Sequence, residues 1–226
     1  MMIRIEKLSK SFGSKLVLDS IGINFEKGKV YGIVGENGSG KTTLFRCITG
    51  LEKYNGIIHS ELDDLKNHIG LLLTESFFMP RLTGLEYIKL LLNARDMDIK
   101  KIHEKNIFDL PLDKYATTYS TGMKKKLALT AILLQNNSVF ILDEPFNGVD
   151  IQSNMIIVEI IKTLKAKGKT VIISSHIFST LAETCDEIHV LENGRFVTQV
   201  QRENFSQLEN KMKMYAVGNL VDKLGI

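Results

Sequence analysis

The chain has 226 residues, enough for one large domain or a core with a subdomain, and its 44% hydrophobic and 24% charged content is ordinary for a globular protein. A formal net charge of +3 is too small to argue by itself for binding to nucleic acid. No run approaches the roughly 18 apolar residues that span a bilayer, and no apolar signal-peptide segment opens the sequence, so we expect a cytoplasmic chain.

Patterns of apolar residues near the N-terminus predict three strands. They cover residues 3–8, 16–25 and 29–34, and Gly13 and Gly28 mark the turns between them. The third strand is predicted to be buried, and it runs straight into a glycine-rich segment.

That segment, residues 35–42, fits the pattern G-x-x-x-x-G-K-[ST] of phosphate-binding loops. Its glycines allow successive backbone N–H groups to point at an anion, and a helix predicted from about Thr42 to Thr49 aims its positive end at the same place. Lys41 suits the β- and γ-phosphates, and the Thr42 hydroxyl suits Mg²⁺. We expect the nucleotide to contact Gly35, Glu36, Asn37, Gly38, Ser39, Gly40, Lys41, Thr42 and Thr43.

The middle of the chain changes character. Short strands are predicted at residues 56–59 and 68–73, and helical periodicity then dominates from about residue 84 to 134. The sequence therefore predicts an α/β core at both ends of the chain, with a mostly helical part inserted over about residues 75–136.

A second candidate site follows the apolar strand predicted at residues 139–142. Asp143 and Glu144 end this strand, and ligands of open parallel sheets lie beyond the carboxyl ends of strands. We therefore expect both acids beside the phosphate loop, with Asp143 as a Mg²⁺ partner and Glu144 as the group that orients or deprotonates the attacking water. Pro145 predicts an extended backbone at Glu144.

The last third of the chain returns to alternating helix and strand. A helix is predicted from Asp150, placed as its N-cap, to Lys167, and a buried strand follows at residues 170–174. His176 lies just past that strand, where its position favours a hydrogen bond to the γ-phosphate over a purely structural role. A hairpin is predicted at 188–201, turning at Asn193-Gly194, and the tail after residue 203 shows weak helical patterns without an assignable task.

With these motifs in order, nearly all of the chain resembles the ATP-binding cassette (ABC) family of ATPases. Residues 119–124 (Y-S-T-G-M-K) resemble the family signature, residues 147–150 resemble its D-loop with Asp150 at the aspartate, and Phe12 matches the aromatic that stacks on adenine. The resemblance implies a single cassette over residues 1–226, with a RecA-like P-loop NTPase core, an antiparallel β subdomain and an inserted α-helical subdomain. The core would comprise residues 1–74 and 137–226, and the helical subdomain, which bears the signature, residues 75–136.

The family places ATP between two cassettes arranged head to tail, so a second cassette, identical or not, is an implied partner. Ser120 and Gly122 of the signature would contact the partner's nucleotide, because the start of a helix and a residue without a side chain expose groups that bind anions. Thr121 and Met123 depart from the usual L-S-G-G-Q. Thr74 stands where the family has the Q-loop glutamine that touches Mg²⁺, so its place among the metal ligands is weaker than that of Thr42 or Asp143.

Some segments admit two interpretations. Residues 77–80 (F-F-M-P) suit either the contact with a membrane subunit, which the family makes here, or the core of the helical part. The lysines at 124–126 are interpreted as a solvated helix face and not as a nucleic-acid site. Cys47 and Cys185 lie far apart without metal-ligand spacing and are expected to be buried thiols.

The resemblance implies an ATP-hydrolysing subunit that drives export through a separate integral membrane subunit, at the inner face of the cell membrane, with ATP and Mg²⁺ bound and without nucleic acid. Two alternatives stay open. A non-transport ABC ATPase acting on a soluble complex usually carries coiled coils, zinc modules or two cassettes, none of which the sequence shows. A non-hydrolysing regulatory cassette is supported by Thr74 and opposed by Glu144. A GTPase is disfavoured because no N-K-x-D segment occurs.

Overall fold

A computed structural model describes residues 2–97 and 100–217 of the chain. Its N-terminal part is a three-stranded antiparallel sheet in the order β2-β1-β4, with β1 at Ile3–Phe12, β2 at Lys15–Phe25 and β4 at Asn55–Ser60. The pairing of β1 with β2 shifts register three times between Ile5 and Ser11, so the first strand is longer but less regular than the alternation predicts.

A six-stranded sheet forms the rest of the β structure, in the order β5-β6-β7-β3-β8-β9. All neighbours pair in parallel except β8 and β9, which form the predicted hairpin through Asn193 (φ 46°) and Gly194 (φ 76°). Strands β3, β6 and β7 are buried along their whole length, as in sheets covered on both faces. The strands are β3 Val30–Val34, β5 Ile69–Leu72, β6 Val139–Asp143, β7 Thr170–Ser174, β8 Glu187–Glu192 and β9 Arg195–Gln201.

Side-chain hydrogen bonds fix where the main helices begin. Thr83 and Glu86 form a reciprocal capping box at the second helix. Ser120 and Asp150 accept backbone N–H bonds at the starts of the third and fourth helices, as predicted. The helices are α1 Lys41–Ile48, α2 Gly84–Asn93, α3 Thr121–Leu134, α4 Ile151–Ala166, α5 Phe178–Thr184 and α6 Phe205–Val217. None of those in the described part of the chain is long and apolar enough to cross a membrane.

The six-stranded sheet separates two hydrophobic cores. Side chains of β3 point alternately to its two faces and so contribute to both cores. Tyr31 and Ile33 pack with α1 and the three-stranded sheet, whereas Val30 and Val34 pack with the helices on the other face. Both cysteines are free and buried, as expected.

The predicted helical run over residues 84–134 is only partly helical. Within its described residues, which leave out 98–99, the chain between α2 and α3 is made of turns and short 3-10 segments. Positive φ angles at Lys101 and Asp109 interrupt any helix there, yet Ile102 and Phe108 are buried nonetheless. Apolar residues were thus a correct guide to burial but not to helical backbone. Helix α5 was not predicted, whereas α6 forms where the tail after residue 203 shows weak helical patterns, and residues 218–226 of that tail lie outside the described residues.

Candidate nucleotide-binding site

The glycine-rich loop links the carboxyl end of β3 to the first residue of α1. Gly38 (φ 86°) and Gly40 (φ 111°) adopt left-handed backbone that other residues rarely accept, and a side chain at Gly40 would also lie 2.8 Å from Leu18 Cδ2. The amide of Ser39 donates to Glu36 O at 3.1 Å, and the amide of Gly194 donates to Ser39 O at 3.2 Å. The loop is therefore held from inside and by the β8–β9 turn.

Lys41 opens α1 and folds back over this loop. Its buried ammonium donates to Gly35 O at 2.6 Å and to Glu36 O at 3.1 Å. Both acceptors are backbone carbonyls of the loop, so the charge is held at the loop itself, within reach of any anion that the loop binds.

The strand-end acid Asp143 meets the phosphate loop directly, as the sequence predicted. Thr42 Oγ1 donates to Asp143 Oδ2 at 2.6 Å, and Ser174 Oγ donates to Asp143 Oδ1 at 2.6 Å. Because β3, β6 and β7 are parallel neighbours in the sheet, their carboxyl ends bring these three side chains together. Ser174 was not singled out from the sequence, although a polar residue ending a buried strand at this edge is the same feature that identified Asp143.

Glu144 is buried and has an unusual backbone. Its φ of 51° is left-handed, so the extended conformation predicted from Pro145 is wrong. Its amide donates to Ser174 Oγ at 3.0 Å and to Ser174 O at 3.2 Å, and these bonds to β7 outweigh the local preference. Positive φ at a non-glycine residue is strained and persists only where surrounding contacts fix it.

His176 lies beside the carboxylate of Glu144. Its Nδ1 is 2.8 Å from Glu144 Oε2, while most of the imidazole is exposed. The pair joins the two residues that the sequence placed at the reacting phosphate, and the exposed part of the ring leaves it room to contact a ligand.

The signature segment and the D-loop interlock within the chain. A Cβ on Gly122 would lie 2.5 Å from the backbone oxygen of Gly148, so the first turn of α3 packs directly on the D-loop. Lys126 Nζ donates to Asp150 Oδ2 and to Ser153 Oγ, both at 3.1 Å. Hydrogen bonds from Ser153, and then from Lys126, hold the pKa of Asp150 well below its usual range, so this cap stays ionised.

Replacing Gly122 with Ala is expected to destabilise this contact. The added methyl group would collide with a backbone oxygen, which cannot rotate away as a side chain can, and overpacking of this kind costs about 1–3 kcal/mol. Urea unfolding measures the loss. Gly22→Ala, which like Gly122 has no left-handed φ but whose added Cβ would meet nothing closer than Ile5 O at 3.8 Å, is the control for adding a methyl group without a collision. Equal losses in the two variants would show that the packing on Gly148 is unimportant.

Comparison with known proteins identifies this arrangement. The family model of the ABC transporter matches residues 18–147, more than half of the chain. The chain belongs to the ABC transporter family. The predicted fold class and the predicted ATP-binding and ATP-hydrolysing activity are confirmed with it.

Similar ABC proteins extend over nearly the whole chain. The lantibiotic transport ATP-binding protein SrtF of Streptococcus pyogenes is 31% identical over 92% of this chain and 94% of its own. The bacitracin transport ATP-binding protein BcrA of Enterococcus faecalis is 31% identical over 98% of this chain and 75% of its own. A nucleotide-free ATP-binding cassette from an ABC transporter superposes with a TM-score of 0.74 at 26% identity, over 91% and 93% of the two chains.

Thr74 and Phe12, two positions predicted from the ABC resemblance, lie outside the hydrogen-bonded cluster formed by Thr42, Asp143, Ser174, Glu144 and His176. Thr74, just after β5, is half-buried, and within the described residues no hydrogen bond joins its side chain to Asp143 or Glu144. Phe12 ends β1 and is half-exposed, and Lys10 Nζ lies 4.6 Å from the centre of its ring. The Lys10 ammonium therefore lies over the Phe12 ring, and the exposed part of the ring can stack on an adenine base.

The segment following Thr74 divides between the two interpretations given to it. Phe78 is buried, and its ring centre lies 4.6 Å from that of Tyr87, so it belongs to the core of the helical part. Phe77 is 76% exposed and Met79 is 48% exposed. We call these two exposed apolar residues, which are two positions apart in sequence, the 77/79 patch.

The lysines after the signature are not a uniform solvated face. Lys125 is only 4% exposed, so that interpretation is wrong for this residue. Its ammonium donates to Glu144 O at 2.6 Å and to Asn147 O at 2.9 Å. Sequence reasoning missed it because helical periodicity alone does not show what packs against the first turns of α3.

Proposed function

We propose that this cassette powers export through a separate membrane subunit, with two cassettes closing on ATP and reopening after hydrolysis. One observation carries the proposal. A continuous chain of hydrogen bonds joins Thr42, Asp143, Ser174, Glu144 and His176 at the edge of the sheet where the phosphate loop ends. This arrangement supports the proposal, because the groups to which we assign phosphate binding and water activation lie in one place, as hydrolysis of a nucleoside triphosphate requires.

Each residue has a distinct proposed role. The loop amides and the Lys41 ammonium bind the β- and γ-phosphates, and Glu144 accepts a proton from the attacking water. His176 donates a hydrogen bond to a γ-phosphate oxygen, with its other nitrogen held by Glu144. Because a carboxylate oxygen only accepts, Nδ1–H is the donor in this second contact, which orients the ring.

Mg²⁺ would be held by the Thr42 hydroxyl and the Asp143 carboxylate. These two groups lie 2.6 Å apart at the end of the loop, and hard oxygen donors are the ligands that this ion prefers. When bound, the ion would neutralise charge on the phosphates. Ser174 supports the site by fixing the second oxygen of Asp143.

The signature would complete the site of a second cassette. Ser120 is the N-cap of α3. Backbone amides in the first turn of a helix, such as that of Gly122, have no carbonyl acceptor within the helix. An anion presented by another subunit fits there. One structural relative, with a TM-score of 0.79 and 21% identity over 89% of this chain and 99% of its own, is described as a dimeric post-hydrolysis cassette bound to ADP and Pi.

We propose export because two similar proteins are a lantibiotic transport ATP-binding protein and a bacitracin transport ATP-binding protein. The exposed 77/79 patch supports contact with a membrane subunit, since an aromatic and a methionine side chain suit an apolar helix of that subunit. The cassette would then act at the inner face of the membrane although no helix in its described part spans one.

The test is release of phosphate from ATP by the purified chain, together with isolation of its complexes from membranes. We expect turnover that needs Mg²⁺, and copurification of a multi-span membrane protein. Copurification with a ribosome, DNA or a soluble complex alone would contradict the transport function, and binding of ATP without turnover would favour the regulatory cassette.

Replacing Thr74 with glutamine, the residue that the family has at this position, tests whether position 74 affects the coupling between ATP turnover and the membrane subunit. We expect Thr74→Gln to change the stimulation of ATP turnover by the membrane partner about threefold or more, while the Kd for ATP changes little, because Thr74 lies outside the hydrogen-bonded cluster. The measurement is ATPase rate with and without the partner. Equal stimulation in both forms would remove the coupling role of this position.

A further inference from the structure

Lys125 is a buried cation that holds two backbone carbonyls. Burial lowers the pKa of its ammonium, and the negative charges of Glu144 and Asp143 oppose that effect. Within the described residues it forms no ion pair, and its hydrogen bonds go to Glu144 O at 2.6 Å and Asn147 O at 2.9 Å. A lysine is rarely buried this deeply unless something fixes its position.

The amide and the carbonyl of Glu144 are therefore each held by a hydrogen bond to a different element. The amide is held by Ser174 of β7, and the carbonyl is held by Lys125 of α3. Between them lies the left-handed backbone of Glu144, with φ at 51°. Within the described residues neither Lys125 nor Ser174 hydrogen-bonds to the carboxylate, so the two bonds fix the backbone from which the side chain projects and leave the carboxylate to His176.

The second carbonyl held by Lys125 belongs to Asn147 of the D-loop, and Ser120, the N-cap of the helix that carries Lys125, lies five residues earlier. One ammonium therefore ties the signature helix, the D-loop and Glu144 together. A shift of α3 when the signature contacts a nucleotide would move the carbonyl of Glu144 with it, because the connection is a direct hydrogen bond and not a flexible loop.

We propose that Lys125 is a positioning residue that holds Glu144 in its hydrolytic orientation and links it to the signature helix. The inference rests on the proposed role of Glu144. It assigns Lys125 an effect on the rate of hydrolysis and not on the binding of ATP, since its ammonium is engaged by Glu144 and Asn147 and not by the phosphate loop. A lysine that merely stabilised the fold would instead affect unfolding and leave the turnover of the folded protein unchanged.

The experiment compares Lys125→Met and Lys125→Gln in the full chain. Methionine keeps an unbranched side chain but donates no hydrogen bond, whereas glutamine is one atom shorter than lysine and can still donate. We expect Lys125→Met to lower kcat roughly 10- to 100-fold with little change in the Kd for ATP, as misplacement of a reacting group does. Lys125→Gln should give an intermediate kcat. Lys89→Met, on the exposed face of α2, controls for the loss of one charge and should keep the parental rate.

The outcomes separate this inference from the function on which it rests. If Glu144→Gln hydrolyses ATP at the parental rate, the role of Glu144 fails and the inference fails with it. If Glu144→Gln is inactive but folded Lys125→Met turns over at the parental rate, only the inference fails. Should Lys125→Met not fold, Lys125→Leu, which also lacks a donor, decides. A reduced kcat with unchanged ATP affinity supports positioning, and a parental kcat overturns it. A crystal structure of the variant should also show the carbonyl of Glu144 displaced from its position in the parent.

Discussion

Glu144→Gln is expected to slow ATP hydrolysis by about 10²- to 10⁴-fold while ATP binding is retained. The substitution removes a proton acceptor and changes little else. The hydrogen bonds that fix Glu144 to Ser174 and Lys125 use its backbone, so they survive the exchange. An amide is also close in size to a carboxylate, and it can still accept or donate a bond to His176. The variant should therefore fold normally and fail only in turnover.

ATP that binds but is not hydrolysed should hold two cassettes together, because the closed state is then left only by release of the whole nucleotide. Size-exclusion chromatography of Glu144→Gln with ATP should show a dimer that the parent forms only transiently, and phosphate release measures the loss of turnover. Glu104→Gln, which alters an exposed acid paired with Lys101, is the control and should behave as the parent does. Parental turnover in Glu144→Gln would show that another group receives the proton.

The phosphate loop and the acids facing it could be predicted because local rules determine them. Left-handed glycines, a lysine and a hydroxyl at fixed spacing specify the loop, and Asp143 had to lie at the carboxyl edge of the sheet once its strand was recognised. The N-caps at Ser120 and Asp150 followed from the chemistry of helix ends. In all of these cases the residues that decide the structure are neighbours in sequence.

The predictions that proved wrong concern positions whose structure is determined by residues far away in the sequence. The left-handed backbone of Glu144 is imposed by Ser174, thirty positions away, against the preference set by Pro145. Lys125 becomes buried only because α3 packs against the segment after β6. The chain between α2 and α3 buries Phe108 without forming a helix, since contacts with the rest of the core replace regular hydrogen bonding there. Whether residues 75–136 behave as a separate subdomain stays a prediction.

Lys41→Met is expected to raise the Kd for ATP roughly a hundredfold. Charge-assisted hydrogen bonds are worth about 1.5–3 kcal/mol each, and an ammonium that binds two phosphate groups makes at least one such bond that no backbone amide replaces. Methionine keeps the unbranched stem that is buried beside the loop and removes only the charge and its donors. A fluorescent ATP analogue gives the Kd directly, and the rise in melting temperature on adding ATP gives it independently.

The variant also tests the contribution of Lys41 to the loop itself. Lys41 donates to the carbonyls of Gly35 and Glu36, so bonds from its ammonium to phosphate oxygens compete with these two bonds. The measured loss of affinity is the difference between the two sets of bonds, which is why a hundredfold and not a complete loss is expected. If the loop needed the lysine to stay folded, Lys41→Met would melt earlier in the absence of ATP. An unchanged melting temperature with an unchanged Kd would contradict any contact between Lys41 and the phosphates, because nothing else in the variant could restore the missing charge.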